Sequence, residues 1–152
     1  MLVVNPPLHD VMPLFRALHN FHVCLSPHKY HAEGSDADYL SHLQTLADRG
    51  AITYAIDAGW GLVAYLLALP EDIQTDGLRW GGRRMKIDHL YIAPTHRGQR
   101  LGHRLVDAME TEMRAQGITN WVVTQDATNQ GAKPFYHAVG AVDQYLVLRK
   151  TL

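Results

Sequence analysis

The chain has 152 residues, of which 47% are hydrophobic and 19% charged, and its formal net charge at neutral pH is −1. This length fits one domain that can bury a core of its own, and the composition is ordinary for a globular protein. The near-neutral charge leaves no electrostatic argument for DNA, RNA or an anionic membrane as a partner.

The N-terminal third predicts a short strand and two helices. An apolar run over 2–4 favours a strand. Apolar residues at helical spacing predict a helix over 11–24, with Asp10 as its N-cap and Pro13 in its first turn. A second apolar stripe predicts a helix over 36–49.

Three strands are expected next. Residues 52–57 and 60–69 flank a tight turn, and this pattern predicts a β-hairpin. The second of these strands is apolar throughout, which indicates a central position covered on both faces. A polar loop is expected over 70–84, and a third strand over 85–93.

The C-terminal third begins with a strongly amphipathic segment. Its apolar residues share one face, which predicts a helix over 98–116. A strand over 118–125, a short helix over 131–139 and a final strand over 144–150 complete the expected elements.

This order of elements predicts one domain over 1–152. Its fold class is α/β (α+β), a three-layer sandwich with a mixed, mainly antiparallel sheet. The strands before and after the helix over 98–116 should run parallel, joined by a right-handed crossover.

The location of the protein is predicted from its cysteine content and apolar segments. Cys24 is the single cysteine, so no intramolecular disulfide can form, which suits a reducing compartment. The N-terminus lacks the basic region of a signal peptide, and the apolar stretch over 62–69 is far shorter than the ~20 residues of a membrane helix. We therefore expect a cytoplasmic protein with no membrane partner.

The turn after the third strand has the properties of an anion site. Pro94 ends the strand, and a helix begins shortly after Gly98. The first N–H groups of a helix lack intrahelical partners and carry partial positive charge. Gly98 and Gly102 allow a bulky pyrophosphate to approach the backbone, and Arg97 and Arg100 add charge. The same glycines also fit an ordinary turn between a strand and a helix.

This turn resembles the acetyl-CoA signature of the GNAT superfamily of N-acetyltransferases, through the run Leu90-x-Ile92-x-Pro94-x-x-Arg97-Gly98-x-x-Leu101-Gly102. The family motif is Gln/Arg-x-x-Gly-x-Gly/Ala after a strand. Arg97 matches its first position and Gly102 its last. Arg100 stands where the family has its middle glycine.

A later segment resembles the second conserved element of the family, through Asn129-x-x-Ala132-x-x-Phe135-Tyr136-x-x-x-Gly140-Ala141. The two motifs occur in the family's order, and the resemblance covers about residues 51–150. Pro134 would delete a backbone hydrogen bond if the helix began at Asn129, so we expect the helix to begin near Gly131.

The resemblance implies an acetyl-CoA-dependent N-acetyltransferase that works by direct attack in a ternary complex, with acetyl-CoA as cosubstrate. It also implies that the parallel pair of strands is central and splayed at the acetyl-CoA site. The implied cofactor-binding residues are Leu90, Tyr91, Ile92, Arg97, Gly98, Gln99, Arg100, Leu101, Gly102, His103 and Asn129.

Two side chains are candidates for the chemistry of acetyl transfer. An alkyl amine is protonated at neutral pH, with a pKa of about 10.4, so a base must remove a proton before attack. Asp88 lies within an apolar strand and is the expected base, directly or through a water, as acidic residues at this place often are in the family. The alternatives are that it binds a cationic acceptor by charge, or that it is a surface aspartate paired with Lys86 or Arg84. Tyr136 is the expected acid, because the family tyrosine lies near the CoA sulfur. His89 is an alternative base, and strand alternation predicts that it faces away from Asp88.

Other residues of interest have simpler interpretations. The chain has ten histidines, and four of them lie over 19–31, but no zinc-ligand motif accompanies them. We therefore predict no metal. The basic run over 79–84 is interpreted as a solvated loop, and no nucleic-acid partner is expected.

The acceptor is predicted to be a small-molecule primary amine. The alternatives are a protein or peptide N-acetyltransferase and a non-catalytic GNAT-like module that binds CoA. An unrelated α/β domain that binds no CoA also remains open. Dimers are frequent in the family, so a homodimer is suggested by analogy alone, and the sequence leaves the oligomeric state open.

Overall fold

A computed structural model describes residues 1–151. The elements run in the order β1 (Leu2–Val4), α1 (Leu8–Leu25), α2 (Asp36–Asp48), β2 (Ile52–Asp57), β3 (Leu62–Ile73), β4 (Gly82–Ile92), a 3-10 turn (Pro94–His96), α3 (Leu101–Ala115), β5 (Trp121–Val123) and α4 (Ala132–Ala138). None of these helices has the length and apolarity that crossing a bilayer requires.

The sheet has the order β1-β2-β3-β4-β5, in which β4 and β5 are parallel and the other neighbours antiparallel. Helices α1 and α2 pack on one face, and α3 and α4 on the other. The predicted three-layer sandwich with a mixed sheet is therefore confirmed. The parallel pair was expected at the centre, but β5 is an edge strand, because no later segment of residues 1–151 adds to the sheet.

Strand β3 forms the middle of both cores. Tyr65, Leu67 and Leu69 point toward α1 and α2, whereas Leu66 and Ala68 point toward α3. All five side chains are buried. The apolar run that predicted a central strand is explained by this burial on both faces.

The predicted polar loop over 70–84 is wrong at both ends, because β3 and β4 continue as an antiparallel ribbon. Glu71 is opposite Arg84, with Nε and Oε2 2.8 Å apart, and Asp72 is opposite Arg83. Opposite charges across a strand pair stabilise the ribbon, and this pairing was readable in the sequence. Pro70 is tolerated because the pairing of β2 with β3 stops at the Ile52–Ala68 pair, so Pro70 has a strand neighbour on one side only.

Helix α1 begins earlier than predicted. Pro7 is its N-cap, and the Pro7 carbonyl accepts hydrogen bonds from the N–H groups of Asp10 and Val11. Asp10 therefore lies in the first turn rather than at the cap. As a result, Pro13 is an interior residue of the helix, where it removes one ladder hydrogen bond.

Helix α2 begins where the sequence predicts. Ser35 is its N-cap and forms a capping box with Asp38. Hydrogen bonds from the Ser35 side chain and backbone lower the pKa of Asp38. This anchored start fixes the helix that carries His42 to the site described below.

The C-terminal strand predicted over 144–150 does not form. Residues 141–151 have no regular secondary structure, and the side chains of Val142 and 145–148 are more than 80% exposed. Strand β5 is also shorter than the predicted 118–125. A strand needs a partner ladder, and a three-residue edge strand offers little of one.

The pairing of β4 with β5 ends early. Met85, Lys86 and Ile87 pair with Trp121, Val122 and Val123, and no pair follows in the described chain. Strand β5 ends at Val123, whereas β4 runs on to Ile92, so a gap in the sheet follows residue 87 on this side, where the splay is predicted. The gap leaves the β5-facing backbone groups of residues 88–92 without a strand partner.

Two leucines test which part of the chain supports the fold. Leu105 on α3 is fully buried, whereas Leu146 is 81% exposed. Replacing Leu105 by Ala should lower the free energy of unfolding by about 2–5 kcal/mol, because it opens a cavity in the core. The matched change Leu146→Ala should alter it by less than about 0.5 kcal/mol. Urea unfolding of both variants measures the difference, and equal losses would contradict this assignment of the core.

Candidate functional site

A β-bulge places two polar side chains of β4 on the same face of the sheet. Leu67 is opposite His89 and Ala68 is opposite Ile87, so Asp88 has no opposite residue on β3. The extra residue interrupts the alternation of side chains. The prediction that Asp88 and His89 face opposite ways is therefore wrong, and both lie on the α1/α2 side of the sheet, where their side chains meet.

The two side chains form a small polar cluster. The Nε2 atom of His89 lies 3.5 Å from Oδ2 of Asp88, and the Nδ1 atom lies 3.2 Å from the hydroxyl of Tyr65. The Nζ atom of Lys86 lies 3.5 Å from the other carboxylate oxygen, Oδ1. The Asp88 side chain is 25% exposed, so solvent can reach its carboxylate.

Aromatic rings from the two N-terminal helices surround this cluster. The ring of Phe15 on α1 stacks on His89 at 4.7 Å and on His42 of α2 at 5.2 Å. The centroids of His42 and His89 are 5.9 Å apart. The sequence did not predict that Phe15, His42 or Tyr65 belongs to the site. Of the three, only Tyr65 could have been assigned to this face of the sheet, because it alternates with Leu67 along β3.

Burial sets the charge state of this cluster. Desolvation lowers the pKa of His89 to about 4, against the opposing effect of the Asp88 charge, so the imidazole is neutral at neutral pH. Burial also raises the pKa of Tyr65 well above its usual value. A neutral imidazole and a carboxylate therefore face each other, both with lone pairs to offer a cation.

The space bordered by Phe15, His42, Asp88 and His89 is called the acceptor cleft below. A hydrogen bond also links the end of α1 to the loop after β5. The Ser26 hydroxyl at the end of α1 donates a hydrogen bond to the carboxylate of Asp126, in the loop after β5. Hydrogen bonds from Ser26 and Thr128 lower the pKa of Asp126 to about 2. The link joins the first helix to the loop beyond the splayed strands.

The anion site predicted from sequence lies at the other end of β4. Arg97 follows the 3-10 turn, and its Nε atom donates to the carbonyl of Ile92 at 3.2 Å. Gly98 has φ +76°, and no atom lies within 4 Å of the position a Cβ would take. The first ladder bond of α3 runs from the Arg104 N–H to the Arg100 carbonyl, so the N–H groups of 101–103 precede it. These amides carry partial positive charge at the start of α3, beside the open position at Gly98.

The remaining predicted cofactor residues lie partly against the two cores and partly at the surface. Leu90 and Ile92 point toward the α3 core and Tyr91 toward the α1/α2 core, while Gln99 is exposed in the turn. Leu101 is buried, and His103 packs edge-on against Phe135 at 5.5 Å. Asn129 accepts a hydrogen bond through its carbonyl from the Ala132 N–H at the start of α4.

Gly102 has a packing role in addition to the cofactor contact predicted for it, which stays a prediction. It is buried, and a Cβ there would lie 2.8 Å from the ring of Phe135 and 3.2 Å from Ile92. Its missing side chain therefore lets α3 pack against α4 and β4. The open approach to the turn is supplied by Gly98.

Tyr136 lies on α4, on the α3 side of the sheet. Its ring contacts Phe135 and Trp121 at 5.1 and 6.2 Å, and burial raises its pKa to about 12. Asp88 lies on the opposite side of the sheet. The sheet therefore lies between the two side chains, and the β4–β5 ladder ends at Ile87, next to Asp88.

Comparison with known families supports the resemblance seen in the motifs. The model of the acetyltransferase (GNAT) family matches residues 15–141. The chain belongs to the GNAT acetyltransferase family. It is also 28% identical over 95 residues to N-acetyltransferase 8 of Rattus norvegicus; the match covers 62% of this chain and 41% of that protein.

Solved structures share the GNAT fold at low identity. The BH1408 protein of Bacillus halodurans, solved as a tetramutant, superposes with a TM-score of 0.86 at 17% identity and covers 99% of each chain. A ribosomal-protein-alanine N-acetyltransferase of Brucella melitensis biovar Abortus 2308 gives 0.72 at 19% identity, covering 100% of this chain and 99% of its own. At such identities the likeness shows the fold alone.

Arg100 departs from the GNAT signature, and the backbone shows why glycine is usual there. Arg100 has φ 58° and ψ 20°, the left-handed conformation, which costs a residue with a Cβ about 1 to 2 kcal/mol. Arg100 therefore holds a backbone conformation that residues other than glycine rarely adopt. As the N-cap of α3, Arg100 is exposed and adds a guanidinium group beside the open turn.

The packing role of Gly102 gives a stability prediction. Gly102→Ala should lower the free energy of unfolding by about 1–3 kcal/mol, because the new methyl group overlaps the Phe135 ring. The loss should shrink in a Phe135→Leu background, which frees part of that space. Gly77→Ala is the control, since a Cβ there meets no atom within 4 Å. An equal loss in both backgrounds, measured by chemical denaturation, would contradict the contact.

Proposed function

We propose that this GNAT protein transfers an acetyl group from acetyl-CoA to the primary amine of a small molecule. The observation that carries the proposal is the gap between β4 and β5. It begins directly after Ile87, where the Asp88–His89 cluster lies, and continues toward the positive end of α3. A donor entering from the helix end would present its thioester beside that cluster.

The donor half of the site is built from backbone groups. The pyrophosphate of acetyl-CoA is expected at the amides of 98–103, with Arg97 and Arg100 adding charge. The amide groups of the pantetheine arm can pair with the β4 backbone over 88–92, which lacks a strand partner on that side. Backbone N–H groups there would also polarise the thioester carbonyl.

The acceptor half supplies a base. The Asp88 carboxylate attracts an ammonium group, and Asp88 or the neutral imidazole of His89 accepts the proton that frees the nitrogen lone pair. The nitrogen then attacks the carbonyl carbon, the new C–N bond forms and the C–S bond breaks. The sulfur leaves as a thiolate.

Tyr136 is the proposed acid for that thiolate. Its pKa of about 12 keeps the phenol protonated at neutral pH, so it has a proton to donate. The proton passes from the hydroxyl to the sulfur and gives free CoA. The base passes the first proton to solvent. The second proton, which the nitrogen loses as the amide forms, returns to the tyrosine through solvent.

A peptide N-terminus is the second candidate acceptor. It is suggested by the similar structure described as a ribosomal-protein-alanine N-acetyltransferase. We favour a small molecule because the Phe15 ring stacks on both imidazoles and leaves His89 only 7% exposed, whereas an extended peptide needs an open groove. A cytoplasmic location and a homodimer stay predictions.

Cofactor binding is tested at Gly98, whose surroundings are open. Calorimetric titration should show that acetyl-CoA binds the wild-type protein, and that Gly98→Asp weakens binding at least about tenfold relative to Gly98→Asn. The two side chains have nearly the same size and impose the same strain at φ +76°, so the difference isolates the repulsion between a carboxylate and the pyrophosphate. No binding by the folded wild-type protein would overturn the proposed donor.

Catalysis is tested by two nearly isosteric changes. Asp88→Asn and Tyr136→Phe should each lower kcat by about 10²- to 10⁴-fold, because each removes a proton-transfer group. Both should leave acetyl-CoA affinity nearly unchanged. The assay measures CoA release with a panel of amines and peptides. Tight acetyl-CoA binding with no turnover on any acceptor would favour the non-catalytic CoA-binding module instead.

A further inference from the structure

The acceptor cleft contains a set of side chains with a second chemical capability. His42 of α2 joins Asp88 and His89 of β4, and one ligand atom from each residue lies within 4.8 Å of the other two. Two imidazole nitrogens and a carboxylate oxygen are ligands that zinc-class divalent ions prefer. Zinc-class ions usually bind four ligands, and a water molecule would be the fourth ligand at such a site.

The distances suit one ion. With metal–ligand bonds near 2.1 Å, the ligand atoms of a tetrahedral site lie about 3.4 Å apart. His89 Nε2 and Asp88 Oδ2 already lie 3.5 Å apart. His42 is exposed on the solvent side, where rotation of its side chain can shorten the remaining distance.

The surroundings hold the buried ligand in the required orientation. His89 can donate its Nδ1–H to the Tyr65 oxygen at 3.2 Å, which leaves the Nε2 lone pair directed at Asp88. Metal-binding histidines characteristically have such a partner on their second nitrogen. The Phe15 ring stacks on both imidazoles, with interplanar angles of 15° and 12°.

One neighbouring charge opposes a cation here. Lys86 Nζ lies 3.5 Å from Asp88 Oδ1, on the carboxylate oxygen that does not face His89. The ammonium group is more than one-third exposed and can turn toward solvent. The inner oxygen, Oδ2, stays available beside the imidazole.

We propose that His42, Asp88 and His89 bind one divalent transition-metal ion of the zinc class, and that this ion blocks the acceptor cleft. The ion takes the place where the ammonium group of the acceptor would lie. The binding half stands on the cluster alone, whereas the blocking half rests on the proposed acetyl transfer.

Binding is tested without any substrate. Zn²⁺ is titrated calorimetrically into chelator-treated full-length protein, and Co²⁺ absorption reports the coordination. We expect saturable one-to-one binding that His42→Ala weakens at least about tenfold and that Tyr65→Phe also weakens. His9→Ala is the control, since His9 is an exposed histidine on α1 outside the cluster. The proposal is overturned if no saturable binding occurs, or if His42→Ala and His9→Ala bind Zn²⁺ with equal affinity.

Blocking is tested by acetyl-transfer kinetics in the presence and absence of a chelator. Zn²⁺ should raise the apparent KM for the amine without raising that for acetyl-CoA, and the effect should be weaker in His42→Ala. Inhibition that excess amine does not relieve would overturn the blocking role. If the protein transfers no acetyl group at all, the proposed function fails, while the calorimetric result on metal binding still stands.

Discussion

The short ladder between β4 and β5 is the constraint on which the site depends. Three residue pairs hold the strands together, and the ladder ends at Ile87 and Val123. Beyond them the β4 backbone has hydrogen-bonding groups that face a gap instead of a neighbour. An unpaired buried backbone group costs about 1–3 kcal/mol, so a ligand with amide groups of its own would stabilise the gap. The proposed donor site therefore depends on the end of a parallel strand pair and not on any special side chain.

The bulge at Asp88 adds side-chain chemistry to that backbone feature. In a regular strand, Asp88 and His89 would face opposite sides of the sheet. The extra residue turns both toward the cleft, at the point where the gap begins. A carboxylate and a neutral imidazole then share one small space, and this pair can take a proton, an ammonium group or a metal ion.

In the turn into α3, two glycines of the GNAT signature have different roles. Gly98 keeps the approach to the helix amides open, while Gly102 lets the helix pack against Phe135. Arg100 accepts a left-handed backbone and contributes charge beside the open turn. The cost of that conformation is smaller than the stability of a typical domain, so a charged residue is tolerated where glycine is usual.

Periodicity and turn chemistry in the sequence determined the order of the elements, the three-layer class, the central place of β3 and the parallel relation of β4 and β5. These features follow from local spacing of apolar residues and from connection rules. The turn predicted to bind an anion was also recognisable, because a strand, a glycine and an amphipathic helix are adjacent in the chain. The start of α2 near residue 36 was predicted from local sequence as well.

The tertiary structure alone decided the bulge in β4, the side chains that meet in the cleft and the exposure of the segment 144–150. The bulge arises from the register between β3 and β4, and no residue near Asp88 signals it. Phe15 and His42 reach the cleft because two helices distant in sequence pack on the same face. The segment 144–150 has the pattern of a strand but lies exposed, because β5 offers too short a ladder to pair with. Local sequence thus sets which elements form, whereas the pairing of distant backbones sets which side chains meet.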